Sequence, residues 1–127
     1  MHLSFTVAMS CFFASALSAA VVEKRCVNHG YATFYNDHAC RDNPSIAYSM
    51  GNDGCIANEV NRNSIYIQGD CFKESLSMVW TPGSNCGCQN DCAAVPNKGN
   101  NHCWDLGGHK YAQSFRFIRQ GCGSNNC

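Results

Sequence analysis

The fold is decided by two similar segments, Ser64-Ile65-Tyr66-Ile67-Gln68-Gly69-Asp70-Cys71 and Ser114-Phe115-Arg116-Phe117-Ile118-Arg119-Gln120-Gly121-Cys122. Each segment begins with serine, continues with apolar residues at alternate positions, and ends with glycine close to a cysteine. Alternation with a period of two is typical of a strand with one buried face, and glycine marks the turn that ends it. Both segments are therefore predicted to be short β-strands.

A strand of a second kind precedes each of these segments. Ala32-Thr33-Phe34-Tyr35-Asn36 leads to Cys40, and Ser77-Met78-Val79-Trp80-Thr81 leads to Cys86. A fifth alternating run is formed by Ile46, Tyr48 and Met50. Five short strands separated by turn residues predict a small, mainly β domain built as an antiparallel sandwich or barrel.

The order of these features is the same in the two halves of the chain, which indicates an internal repeat. The spacings differ slightly between the halves, so chance similarity in a chain rich in cysteine and glycine is the alternative interpretation. Helical periodicity is weak throughout. We expect at most one or two short helical turns, at residues 55–60 and 93–95.

The N-terminal residues are not expected to belong to this domain. An apolar run from Phe5 to Ala20 predicts a signal peptide over residues 1–20. Residues 21–25 follow as a short pro-segment that ends in the dibasic site Lys24-Arg25. A single disulfide-stabilised domain over residues 26–127 should remain, and we expect it to be secreted and extracellular. No second apolar run is long enough to predict a membrane span.

Cysteine usage supports export. Ten of the 11 cysteines follow residue 25, an even number at the density typical of secreted disulfide scaffolds. The pairing stays open, although Cys86 and Cys88 are too close in sequence to favour a bond with each other. All ten are predicted to form disulfides: Cys26, Cys40, Cys55, Cys71, Cys86, Cys88, Cys92, Cys103, Cys122 and Cys127.

The alternative to some of these disulfides is a zinc site. Thiolates and imidazoles are preferred zinc ligands, and they cluster at Cys86, Cys88, Cys92, His102 and Cys103. Their spacing is not that of a standard zinc knuckle, and thiols are oxidised during export. The disulfide interpretation is therefore preferred, and neither a metal nor another cofactor is expected.

The repeated order of strands resembles a known fold. With Ser64-Ile65 and Ser114-Phe115 in equivalent places, it is similar to the two Greek-key motifs of the β/γ-crystallin fold in small secreted antimicrobial and fungal effector-type proteins. Residues 59–64 and 109–114 depart from the calcium motif of that family, so the resemblance does not imply calcium binding. A leader, a dibasic site and about 100 cysteine-rich residues also resemble fungal effectors and killer toxins. These resemblances imply interaction with a host or antagonism of other microbes.

Residue types needed for catalysis are present without a recognisable spacing. A ribonuclease needs a base, an acid and a cation, for which the candidates are His38, Glu59, His109 and Arg116. A glycoside hydrolase needs two facing carboxylates, for which the candidates are Glu59, Glu74 and Asp105. No catalytic residue is assigned, and ordinary surface roles are preferred for the histidines. A small secreted enzyme of the ribonuclease type is the alternative function.

A polar segment over residues 95–110 carries the candidate partner-binding residues, Trp104, His109 and Lys110. Tryptophan on a loop is a frequent anchor in interfaces, but Trp104 packed as core beneath Cys103 is the competing interpretation. A third possible role is binding of carbohydrate or cell wall through the aromatic residues Tyr31, Tyr35 and Trp104. For the two tyrosines, packing within a sheet is the competing interpretation.

The expected function is binding rather than catalysis. The formal net charge is zero, only 14% of residues are charged, and no basic stripe is present, so no nucleic-acid partner is predicted. We expect a monomeric effector or toxin-like protein. Its target would be a host or microbial protein, or another cell-surface target, outside the producing cell.

Overall fold

A computed structural model describes residues 26–69, 71–87, 91–107 and 112–124. The predicted signal peptide and pro-segment, with Lys24 and Arg25, lie outside the described residues. Seven strands and one short 3-10 helix over Cys122–Ser124 are present in the described part. The strands are β1 Tyr31–Tyr35, β2 Ala47–Ser49, β3 Ser64–Gln68, β4 Ser77–Thr81, β5 Asp91–Ala94, β6 His102–Asp105 and β7 Ser114–Ile118.

The strands form two antiparallel sheets. One sheet has the order β2-β1-β3-β6 and the other the order β5-β4-β7. Alternate residues of each sheet point inward to a common apolar core, whose fully buried members include Phe34, Ile65, Ile67, Phe115 and Phe117. The prediction of a small, mainly β, disulfide-rich antiparallel fold is therefore confirmed.

The two halves of the chain use the same strand arrangement. In each half the first strand pairs with both the second and the last, so that Tyr35 lies opposite Ser64 and Thr81 lies opposite Ser114. Each half also sends a segment across to the sheet of the other. Strand β6 pairs with β3 of the first half. Conversely, Ile56 forms an isolated antiparallel bridge with Phe115 of the second half.

Equivalent serines hold equivalent loops. The Ser64 hydroxyl donates to the Asp37 carbonyl at 2.5 Å and accepts from the Cys40 amide at 3.2 Å. The Ser114 hydroxyl donates to the Gly83 carbonyl at 2.6 Å and accepts from the Cys86 amide at 3.1 Å. Each loop therefore folds back over the end of its sheet, and both serines are completely buried.

Four disulfides join eight of the ten predicted cysteines: Cys26–Cys71, Cys40–Cys103, Cys55–Cys86 and Cys92–Cys122. Two of them are reciprocal. Cys40–Cys103 ties the folded loop of the first half to β6, and Cys55–Cys86 ties the folded loop of the second half to the segment beside Ile56. Cys88 and Cys127 lie outside the described residues.

Three local structural expectations were wrong. The structure places an isolated bridge at Ile56 where a helical turn was predicted, and strand β5 covers most of the second predicted turn. Strand β6 lies within residues 95–110, which the sequence had marked as a recognition loop. Among the residues described, no helix has the length and apolarity needed to cross a bilayer.

Candidate functional site

An exposed row of tyrosines lies on the outer face of the four-stranded sheet. Along β1, Ala32 and Phe34 are buried in the core, so Tyr31, Thr33 and Tyr35 point outward. The side chain of Tyr31 is 52% exposed, whereas Tyr35 is half-buried. The candidate carbohydrate-binding residues Tyr31 and Tyr35 therefore share one face.

A third tyrosine comes from the neighbouring strand. Tyr66 lies directly opposite Thr33, which places it diagonally between Tyr31 and Tyr35. Diagonal neighbours in an antiparallel pair are about 7–8 Å apart, within reach of aromatic side chains. Gln68, opposite Tyr31, completes this surface. We refer to Tyr31, Thr33, Tyr35, Tyr66 and Gln68 as the tyrosine face.

The tyrosine face carries no ionisable side chain other than its phenols. The outward-pointing residues of the adjoining strand β2 are Ala47 and Ser49, which lie opposite Thr33 and Tyr31. Among the described strands of this sheet, the first carboxylate is on the far strand β6, where Asp105 lies opposite Ser64. At neutral pH the face is therefore an uncharged, amphipathic surface with hydroxyl and amide groups between its rings.

The outer face of the other sheet is different. Val79 points outward from β4, yet it is only 1% exposed. Its cross-strand partners are Cys92 and Arg116, and Cys92 is bonded to Cys122 of the 3-10 helix. Every residue of β4 is buried, so this face offers no comparable open surface.

Beside the tyrosine face, the structure joins two of the candidate catalytic residues. His38 donates from Nδ1 to Asp105 Oδ1 at 2.8 Å, and both side chains are more than half exposed. This hydrogen bond, followed by one from the Gly107 amide, holds the pKa of Asp105 below its usual value. The Cys40–Cys103 disulfide joins the same two segments and fixes the pair in place. An imidazole oriented by a carboxylate is a recognisable acid–base unit.

Glu59 belongs to a different, buried cluster. The residue is 5% exposed, and its carboxylate accepts from the Tyr48 hydroxyl at 2.6 Å and from Arg62 Nε at 2.6 Å. Arg62 also donates to the side chain of Asn36 and to the carbonyl of Asn43. Burial, together with the hydrogen bond to Glu59, raises the pKa of Tyr48 to about 12. The phenol, the carboxylate and the guanidinium of this cluster all have hydrogen-bond partners, so the cluster links loops and does not expose a reactive group.

The remaining acid and cation candidates are not brought together. Glu74 lies 3.9 Å from Arg119 at the end of β7, and no contact among the described residues joins it to Glu59 or Asp105. Arg116 lies on the outer face of the other sheet, opposite Val79. The three candidate carboxylates for glycoside hydrolysis, Glu59, Glu74 and Asp105, are therefore not joined by any contact among the described residues.

The candidate zinc ligands that the structure describes have other partners, and Cys88 lies outside the described residues. Cys86, Cys92 and Cys103 are all in disulfides, and His102 hydrogen-bonds through Nδ1 to the Asn100 carbonyl at 2.9 Å. No group of three or more histidine, cysteine or acidic residues within the described ranges could hold a metal ion.

Of the candidate partner-binding residues, only Trp104 is described; His109 and Lys110 lie outside. Trp104 of β6 lies opposite Ile65 of β3. Its side chain points inward and packs, partly buried, against the core. It lies on the opposite face of its sheet from Tyr31 and Tyr35. The three aromatic residues considered for carbohydrate binding are therefore split between two faces.

The sequence reasoning missed one residue of the candidate site and one contact beside it. Tyr66 lies between two core isoleucines, and this alternation places it on the same outer face as the β1 tyrosines once the register is known. Contact between His38 and Asp105 carries no sequence signal, because 67 positions separate them. Their meeting depends on β6 crossing to the first sheet.

No protein-family model, curated protein or solved structure matches the chain. Functional assignment therefore rests on the residues of this chain and on their geometry.

Proposed function

We propose that this chain is a secreted binding protein of the effector or toxin-like kind, acting outside the producing cell. Its contact surface would be the tyrosine face, and its target would lie on the surface of a host or competing cell. The single observation that carries this proposal is the exposure of Tyr31 beside Tyr35 and Tyr66 on one open, uncharged sheet face.

Two further features support the proposal. Disulfides such as Cys26–Cys71 and Cys92–Cys122 fit an extracellular protein, because they persist in oxidising surroundings. The repeated serine contacts of the two halves support the resemblance to small secreted proteins with a β/γ-crystallin-type arrangement. Loops and sheet faces held by such a rigid frame can recognise a target without a large ordering cost.

The test measures binding of the labelled protein, purified from the secretion medium, to intact microbial and plant cells. The double variant Tyr31→Ala/Tyr66→Ala should bind roughly tenfold more weakly, because tyrosine is enriched among the interface residues whose truncation costs most. Val60→Ala is the matched control, since Val60 is exposed to a similar extent but lies outside the tyrosine face. Unchanged binding by the double variant, or no binding to any cell, would contradict the proposal.

A second candidate function is favoured by the His38–Asp105 pair. With Nδ1 bound to Asp105, Nε2 of His38 is the nitrogen that would accept a proton from a substrate hydroxyl. RNA is the first substrate to test, because a ribonuclease requires such a base. Degradation lost in His38→Ala and reduced in Asp105→Asn, but kept in the exposed control Asp53→Asn, would favour the enzyme. Equal background degradation by all variants would reject it.

A further inference from the structure

We infer that the ligand of the tyrosine face is an uncharged polysaccharide of the kind found in cell walls. This inference rests on the proposed function, because it names the chemical class that the same face would bind. The occupant follows from four properties of the face: its side-chain chemistry, its lack of charge, its size and the placement of its rings.

The side-chain chemistry fits sugar rings. A pyranose ring has an apolar face of C–H groups and an edge of hydroxyls. Tyrosine offers the matching pair, an aromatic ring with a hydroxyl at its end. Thr33 lies opposite Tyr66, and Gln68 lies opposite Tyr31, so a hydroxyl and an amide stand among the rings as hydrogen-bonding partners.

The absence of charge separates this ligand from nucleic acid. A nucleic acid can stack on tyrosines, but its phosphates require lysine or arginine nearby for useful affinity. The outward-pointing residues of β1, β2 and β3 include no lysine or arginine. A neutral polymer has no charged groups that would lose their hydration when it binds to such a face.

The size of the face argues against a protein partner. The two strands that carry the tyrosine face are five residues long and about 4.8 Å apart, so the face measures about 10 Å by 17 Å, or roughly 170 Å². A stable protein–protein interface buries about 800 Å² on each partner. A polysaccharide can be held on the smaller area because it contributes only a few rings.

The placement of the rings indicates an extended ligand. Tyr31 and Tyr35 are four positions apart on β1, a distance of about 13 Å along the strand. Tyr66 lies between them on the next strand. The polymer should therefore lie along β1 and contact several successive sugar rings, so that a single monosaccharide competes poorly.

The experiment measures binding of the purified secreted protein to washed particles of chitin and of insoluble β-glucan. The native protein should bind at least one of them. The double variant Tyr31→Ala/Tyr66→Ala should bind about tenfold more weakly, equivalent to about 1.4 kcal/mol. Tyr31→Phe/Tyr66→Phe should keep most of the binding, because the rings remain, and Val60→Ala should be unchanged. Near-ultraviolet circular dichroism of each variant verifies the fold.

The same variants are then tested on intact cells pretreated with either glycanases or protease. Loss of tyrosine-dependent cell binding after glycanase treatment supports the inference. Tyrosine-dependent cell binding that is lost after protease treatment, with no binding to either particle, overturns the inference and leaves the proposed function standing. Absence of tyrosine-dependent cell binding overturns both. Binding that the alanine double variant retains on particles also overturns the inference.

Discussion

Among single residues, Glu59 is the one acidic or basic residue that is buried in the described part of the chain. A buried carboxylate is costly unless it is fully hydrogen-bonded. Tyr48 and Arg62 provide those hydrogen bonds, and Arg62 continues to Asn36 and Asn43 in the neighbouring loop. One salt bridge therefore connects β2 with two loops, and its loss would leave an unpaired buried charge.

Tyr48 makes this cluster sensitive to alkaline pH. The pKa of Tyr48 is raised from 10.0 to about 12 in the folded state, so folding favours the neutral phenol. Its contribution to stability is complete below pH 10 and is lost as the pH rises to about 12. Ultraviolet titration of tyrosinate should show a late step near pH 12, present in Tyr31→Phe and absent in Tyr48→Phe. Persistence of that step in Tyr48→Phe would contradict the assignment.

The tyrosine face shows how far residue patterns could predict the candidate site. Alternation placed Tyr31 and Tyr35 together on one strand face, and it also separated Tyr66 from its isoleucine neighbours. What the sequence could not supply was the register that brings Tyr66 beside them. Trp104 looked equally available in the sequence, but pairing of β6 with β3 turns it inward.

At the scale of strands, the five runs with alternating apolar residues were predicted and two others were not. Strand β5 reads Asp91-Cys92-Ala93-Ala94 and β6 reads His102-Cys103-Trp104-Asp105. Neither has the alternation of large apolar and polar residues that identifies a half-buried strand. Both are strands because β4 and β3 present unpaired backbone groups to them, which is a tertiary effect that local sequence does not encode.

The folded loops give a prediction at this scale. Ser64→Ala and Ser114→Ala each remove a buried hydroxyl that serves one carbonyl and one amide. Each substitution should lower the free energy of unfolding by about 1–3 kcal/mol, because a buried polar group then lacks its partner. Urea denaturation provides the measurement.

Ser75→Ala is the control, because Ser75 is exposed, and it should change stability by less than about 0.5 kcal/mol. The two buried serines make the same pair of contacts, so their effects should be similar. Strongly unequal effects would show that the two loops are not energetically equivalent, although their hydrogen bonds match.

In the molecule as a whole, the disulfides supply part of the stability that a larger apolar core would otherwise provide. The pairing of Cys40 with Cys103 spans 63 positions, and that of Cys55 with Cys86 spans 31. Neither could be predicted from the sequence, because each depends on a segment crossing to the sheet of the other half. The high density and even number of cysteines predicted that disulfides form, but not which cysteines pair.

Removing these bonds should have a large effect. Replacing Cys40 and Cys103, or Cys55 and Cys86, with alanine should lower the free energy of unfolding by roughly 2–4 kcal/mol, because the unfolded chain regains freedom. The free energy of unfolding of a domain of this size is about 5–15 kcal/mol in total, so loss of both bonds should leave the fold only marginally stable. Near-ultraviolet circular dichroism during urea denaturation measures the effect, and a variant lacking both bonds that retained native stability would contradict the prediction.

The reciprocal disulfides also determine what happens when the backbone is cut. A single nick between Cys71 and β4 would separate a piece carrying Cys40 and Cys55 from a piece carrying Cys103 and Cys86. The two pieces would still be linked covalently in two places. On a gel the two pieces would migrate together until reductant was added, so a chain cut at that site would stay assembled.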